Sequence, residues 1–360
     1  MVYRNGMPSF APRLVMVLCV ALLFAAPVRG ALITVETVAV GDAGNAADGN
    51  GKGSVAYDFA VGKYEVTIAQ YSTFLNSVAA VTSDSYIIDL YNLQMFQDND
   101  IAGILRSGSG TSLDPYSYSV VGPSGSNPAG ASSPGDRPIA YVSWFDAARF
   151  ANWVNNGATN GASTETGAYT LNGATNGIIA QNAGATWWLP TWDEWYKAAF
   201  YKGGSTNAGY WDYATQSDAA PGNTIGSGTN QANYAIFNGT NFTYSVTQAT
   251  NKAAGQNYLS DVGAFTSSDS AYGTFDQSGN LAEWVEATFS ATNRVYVGGS
   301  WKGGLPSAST SVADLPTTEL DSLGFRLATT AVEVPEPGTW AAASLLGLVA
   351  FIARSRRRAG

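Results

Sequence analysis

Two carboxylates seven residues apart, Asp276 and Glu283, flank a glycine turn with backbone carbonyls between them. Hard oxygens in that order suit a flexible calcium site of about six to eight ligands. The same pattern also describes a solvated acidic turn or a helix-start charge, and the residues alone leave these readings open. Asp193-Glu194 and Glu283-Glu286 have the residue types of a glycoside hydrolase, which needs two carboxylates about 5–10 Å apart. Each already has a structural use as a helix start, a cation ligand or a solvated face, so no hydrolase is read from them. Ser300, Trp301 and Lys302 are candidates for lining a ligand pocket, because aromatic faces stack on sugar rings while polar groups bond their hydroxyls. The alternative is an exposed aromatic without a ligand.

The inventory removes most other chemistry. The chain has 360 residues, one cysteine and no histidine. Cys19 lies in an N-terminal leader, so the body after it has neither thiol nor imidazole. Disulfides, zinc-finger sites, cysteine nucleophiles and Ser-His-Asp triads are excluded on that ground. Seven of the 18 basic residues lie in the two chain ends, leaving 11 against 26 acidic residues in the body, a charge near −15. Such a body repels phosphate backbones, so no nucleic-acid partner is expected. With 12% charged residues, 12% aromatics and 40 glycines, the chain reads as a folded, turn-rich domain rather than a disordered one.

Three helices must position these residues. Thr67 with Gln70, Ser143 with Asp146, and Thr191 with Glu194 each have the spacing of a capping box. After the first, Ile68, Tyr71, Phe74, Leu75 and Val78 recur at helical spacing and predict a buried face. Trp144, Ala147, Ala148, Ala151 and Val154 predict a narrow inner face on the second, and Trp195, Ala198 and Ala199 the inner face of the third. Val35, Val38 and Val40 predict an edge strand, followed by a mobile glycine-rich loop over Gly41–Gly53. Residues 82–135 read as an inserted surface excursion with one short helix near Tyr86–Phe96, and Gly157–Gly184 as a hairpin excursion. Short strands and loops follow over 205–330, so the fold class is α+β with high loop content.

The ends read separately. Arg4 and Arg13 precede the apolar run Leu14–Ala26, which fits a secretory signal over residues 1–30 with cleavage after Gly30. At the other end, Val334-Pro335-Glu336-Pro337-Gly338 leads into the apolar stretch Thr339–Ala353 and then Arg354-Ser355-Arg356-Arg357-Arg358. This segment, 334–360, resembles the PEP-CTERM sorting signal of Gram-negative bacteria. The resemblance implies an inner-membrane tail cut near the Pro-Glu-Pro by exosortase-type machinery, and a body exported to the cell envelope, outer surface or extracellular matrix.

Six segments between residues 55 and 330 resemble the formylglycine-generating enzyme, or sulfatase-modifying factor, family. They are Val61–Thr67, Arg137–Trp144, Trp188–Trp195, Gly279–Trp284, Arg294–Trp301 and Leu323–Arg326, in that order. Residues 31–54 then form an N-terminal strand and linker. The resemblance implies a loop-rich, C-type-lectin-like α+β fold braced by calcium. In this family, calcium would be held by Asp276, the carbonyls of Gly279 and Leu281, and Glu283, with a second site at Asn233 and the carbonyl of Tyr234. Active members oxidise a sulfatase cysteine using copper held by two cysteines, and the matching positions here are Gly303 and Ala308. Copper(I) needs soft ligands, so copper is not expected. The expectation is a non-catalytic scaffold or binding module whose partner is surface polysaccharide or another envelope protein. The alternatives are an oxidase of the family type acting on protein substrates and a lectin-like carbohydrate binder. Trp144, Trp188, Trp195 and Trp284 are expected in the core, and Glu65 and Arg326 in a structural ion pair or turn contacts.

Overall fold

The structure, a computed structural model, describes residues 31–122 and 134–330. The secretory leader and the Pro-Glu-Pro tail lie outside the described residues. From the N-terminus run β1 (Thr37–Val40), β2 (Phe59–Gly62) and α1 (Ile68–Val78). Next come two one-turn helices, α2 (Ser85–Ile88) and α3 (Gln94–Gln97), and a hairpin of β3 (Ile104–Ser107) and β4 (Ser117–Val120). They are followed by α4 (Trp144–Asn155), the two-residue β5 (Trp187–Trp188) and α5 (Trp192–Phe200). The C-terminal third holds β6 (Ile236–Phe237), β7 (Phe242–Thr243), β8 (Ala282–Thr288), β9 (Arg294–Val297), β10 (Ser311–Asp314), β11 (Leu323–Gly324) and β12 (Ala328–Thr330).

All three capping boxes form. Thr67, Ser143 and Thr191 each accept from the backbone three residues on, while Gln70, Asp146 and Glu194 reach back to the cap. Each box satisfies amides that the first helical turn leaves without an intrahelical partner. Helix α1 buries Ile68, Tyr71, Phe74 and Leu75, as its periodicity predicts. Helix α4 departs from its predicted narrow face: every residue from Trp144 to Val154 is buried. Its polar residues are covered by the segment after it. Asn152 donates to the carbonyls of Thr164 and Tyr169 and accepts from the Tyr169 amide, and Arg149 pairs with Glu165 at 2.8 Å. Residues 157–184 do fold back on themselves, with an antiparallel bridge between Tyr169 and Gln181, but they also cover α4, and Tyr169 and Leu171 enter the core.

Four strands make an antiparallel sheet in the order β1-β2-β12-β5, with β1 at the edge as expected. A second sheet, β10-β9-β8-β11, is antiparallel except for the pairing of β11 with β8. Over residues 82–122 the insertion is not confined to the surface. Ile87, Leu90, Tyr91, Met95, Ile104 and Tyr118 join α1 and α4 in the main core. The glycine-rich loop after β1 is also pinned. Asn45 is buried and bonds the Gly53 carbonyl and the Val55 amide, and Asp193 accepts from the Gly53 amide. Among the described residues no helix is long and apolar enough to cross a membrane.

Candidate functional site

The Gly279–Trp284 segment runs from a glycine turn into β8, and its side chains meet those of several distant segments. Glu283 and Arg326 are fully buried and bonded in a fork: Nε to Oε2 at 2.6 Å and Nη2 to Oε1 at 2.7 Å. Trp195 of α5 donates its indole N–H to the same Oε2 at 2.8 Å. The remaining Arg326 donors reach the carbonyls of Gly62, Lys63 and Phe275. One arginine thus ties β2, the Phe275 turn and β8 together. Burial works to lower the Arg326 pKa, but Glu283 outweighs it and the net shift is upward.

Glu65 occupies the next layer. It accepts from Asn280 Nδ2 at 2.9 Å and from the Leu281 amide at 3.0 Å. Asn280 has φ 58°, a left-handed conformation that asparagine tolerates better than most residues. Its amide donates to the Asn233 carbonyl at 2.7 Å, and its Oδ1 accepts from Asn233 Nδ2 at 3.0 Å. Gly279 must be glycine. Its φ is +130°, and a Cβ there would lie 2.4 Å from the Asn233 carbonyl oxygen. Burial pushes the Glu65 carboxyl well above the usual range; Asp276 and Glu283 add to this, against Arg326 and the Leu281 amide.

Asp276, Gly279, Leu281 and Glu283 do come together with Asn233, so the two sequence-predicted cation sites converge on one turn. The Glu283 side chain nevertheless does not fit calcium. Both of its oxygens are engaged by Arg326 and Trp195, and the guanidinium in contact with them repels a second cation. Asp276 accepts from the Gly263 amide at 2.6 Å, and its pKa is raised to about 6, chiefly by burial. Asn233 Nδ2 donates to Asn280, Tyr258 and Ser260, the Asn233 carbonyl accepts from the Asn280 amide, and the Tyr234 carbonyl accepts from Asn223. Among the described residues no group of three or more acidic, cysteine or histidine side chains is arranged to hold a metal ion. The expected contacts of Glu65 and Arg326 are present, but the ion pair joins Arg326 to Glu283 rather than to Glu65.

The turn after β9 has a different character. Gly303 closes a tight backbone turn, its amide donating to the Ser300 carbonyl at 3.0 Å. Ala308 packs at the edge of a small core with Trp195, Val285, Val295 and Val297. The prediction for Trp301 fails. It is 1% exposed, stacks on Tyr258 at 5.4 Å and donates its N–H to the Asp321 carbonyl, so no ring face is open to a ligand. Ser300 is buried, and Lys302 forms an ion pair with Asp321. Trp144, Trp188, Trp195 and Trp284 are core residues, as expected.

Neither carboxylate pair is a free acid–base couple. Glu286 pairs with Arg294 at 3.0 Å, and that guanidinium lies 3.4 Å from the ring centre of Trp144. Glu194 is buried in its capping box and also holds Tyr57 and Trp188, as described below. Sequence reasoning missed the bonds Glu283–Trp195, Glu65–Asn280 and Glu194–Tyr57. The only local signal was the Gly-Asn pair, which favours a left-handed turn.

The comparisons agree with this architecture. The profile of the Sulfatase-modifying factor enzyme 1-like domain matches residues 34–331. Among solved structures, the crystal structure of CarF is 21% identical with a TM-score of 0.48, the match covering 83% of this chain and 99% of that one. Treponema denticola variable protein 1 is 18% identical (TM-score 0.44), covering 83% of this chain and 98% of that one. PvdO from Pseudomonas aeruginosa is 16% identical (TM-score 0.40), covering 82% and 92%. No curated protein matches. With nearly the whole described body inside the profile match, the chain belongs to the family of Sulfatase-modifying factor enzyme 1-like domains.

Proposed function

We propose that the chain is an exported, non-oxidase member of its family, serving as a scaffold or binding module at the outer surface or in the extracellular matrix. The observation that carries this reading is the residue pair Gly303 and Ala308 at the positions where active relatives hold copper, in a body with no cysteine or histidine. Without a thiolate at either position, the paired-cysteine copper(I) site of those relatives is not reproduced. The leader and the Pro-Glu-Pro tail support export and exosortase-type processing. Retention of the Arg326–Glu283 hub beside the changed turn supports a domain kept for its shape.

The test is to incubate the purified chain with copper, oxygen and a cysteine peptide, and to follow the peptide by mass spectrometry. The thiol is expected to remain unconverted. Catalytic formation of the peptidyl aldehyde would overturn the reading.

A further inference from the structure

A groove lies at the β2 end of the first sheet, lined by none of the residues of the two turns described above. It has a volume of about 460 Å³ and lies between residues 57–59 and 181–185, with Trp188 and Thr330 as floor. That volume falls in the range of small-ligand sites, about 300–1,000 Å³. One wall is the β2 end of the first sheet, where Phe59 pairs with Thr330. The other wall is a turn fixed by Asn182, whose amide bonds the Ala168 carbonyl and whose side chain bonds the Gly167 carbonyl.

The aromatic residues are held in place in advance. Tyr57 is 51% exposed, yet its hydroxyl donates to Glu194 Oε1 at 2.8 Å. Trp188 donates its indole N–H to the other oxygen of the same buried carboxylate at 3.1 Å. Glu194 is in turn fixed by the cap of α5. A tyrosine ring anchored through its hydroxyl offers a face at little further cost in side-chain entropy. Beside it, the carboxylate of Asp58 and the amide of Gln181 have no hydrogen-bond partner among the described residues. No lysine or arginine lines the groove, and the chain as a whole carries −9. A fixed aromatic face beside unused amide and carboxylate groups fits an uncharged, hydroxyl-rich ring. An anionic ligand would meet the exposed Asp58 carboxylate, whereas Lys197, the cation whose charge interacts with Asp58, is buried and does not line the groove.

We propose that this groove binds a neutral saccharide chain, with Tyr57 as the stacking face and Gln181 and Asp58 as hydroxyl partners. The proposal rests on the binding-module half of the proposed function. Thiol oxidation would overturn the non-oxidase reading without touching the groove, whereas absence of saccharide binding would remove only the groove.

The experiment is calorimetric titration of the full chain with cellohexaose, xylohexaose and chitohexaose, and with hexagalacturonate as the anionic comparison. At least one neutral hexasaccharide is expected to bind, more tightly than hexagalacturonate. Tyr57→Ala should weaken that binding about tenfold or more. Tyr57→Phe, which keeps the ring, should stay within about threefold of the natural chain. Gln181→Ala, which disturbs no bond of the fold, should weaken binding measurably at an unchanged Tm. Failure of all three neutral chains to bind, tighter binding of hexagalacturonate, or full affinity in both Tyr57→Ala and Gln181→Ala would each overturn the proposal.

Discussion

The turns over residues 276–283 and 300–308 are built in different ways. The turn over residues 276–283 is bound by buried side chains from distant segments: Glu65 and Asn233 hold Asn280, while Trp195 and Arg326 hold Glu283. The turn over residues 300–308 combines short-range backbone bonds, such as Gly303 to Ser300 and Ser307 to Leu305, with longer ones from the Trp301 amide to Asn280 and the Ala308 amide to Asp212, and Lys302 and Leu305 are exposed. The first turn ties the sheets together and tolerates little change. The second is anchored at Trp301 and Ala308, and between them a Cβ at Gly304 would meet nothing within 4 Å, so substitution there is expected to disturb the fold less.

The largest expected effect breaks the first turn. Glu283→Ala leaves Arg326 buried without its counter-ion, which costs about 3–5 kcal/mol. Urea unfolding should show the same loss in calcium and in a calcium chelator. A loss present only with calcium would return Glu283 to the role of a metal ligand.

A sharper comparison makes one substitution in both turns. Gly279→Ala places a Cβ against the Asn233 carbonyl at a positive φ, for about 1–3 kcal/mol of backbone strain before the clash is counted. Gly304→Ala meets nothing within 4 Å and needs no positive φ, so its effect should stay within about 0.5 kcal/mol. Similar losses at both positions, read from denaturant midpoints, would erase the distinction between the turns.

A pH-dependent effect lies outside both. Glu319 shares a pocket with Asp89 and Asp146, and its pKa is raised to about 8, first by burial and then by Asp146 and Asp89, against a bond from Asn92. The model-compound value is 4.5, so the folded chain holds a proton that the unfolded chain releases. The stability this contributes is complete below about pH 4.5 and is lost as pH rises through about 8. Thermal melts should show Glu319→Gln a few degrees more stable than the natural chain above pH 8 and nearly equal to it near pH 5. Parallel Tm curves for the two proteins would exclude Glu319 as the titrating group.

Much of this was legible in the order of residues. The three capping boxes, the buried face of α1, the edge position of β1 and the burial of Trp144, Trp188, Trp195 and Trp284 follow from spacing and residue type. Such features depend on neighbours three or four positions away, so the chain determines them locally. The absence of cysteine and histidine from residues 31–360 is likewise a matter of composition, complete before any folding. Only the tertiary structure decided which partner Glu283 takes, since a carboxylate is satisfied equally by calcium or by a guanidinium and Arg326 lies 43 residues away. It likewise turned Trp301 inward against Tyr258, drew residues 82–122 into the core, and set Tyr57 and Trp188 on one buried carboxylate. In each case the deciding contact joins segments far apart in sequence, and the free energy of burying them together appears only once the fold has closed.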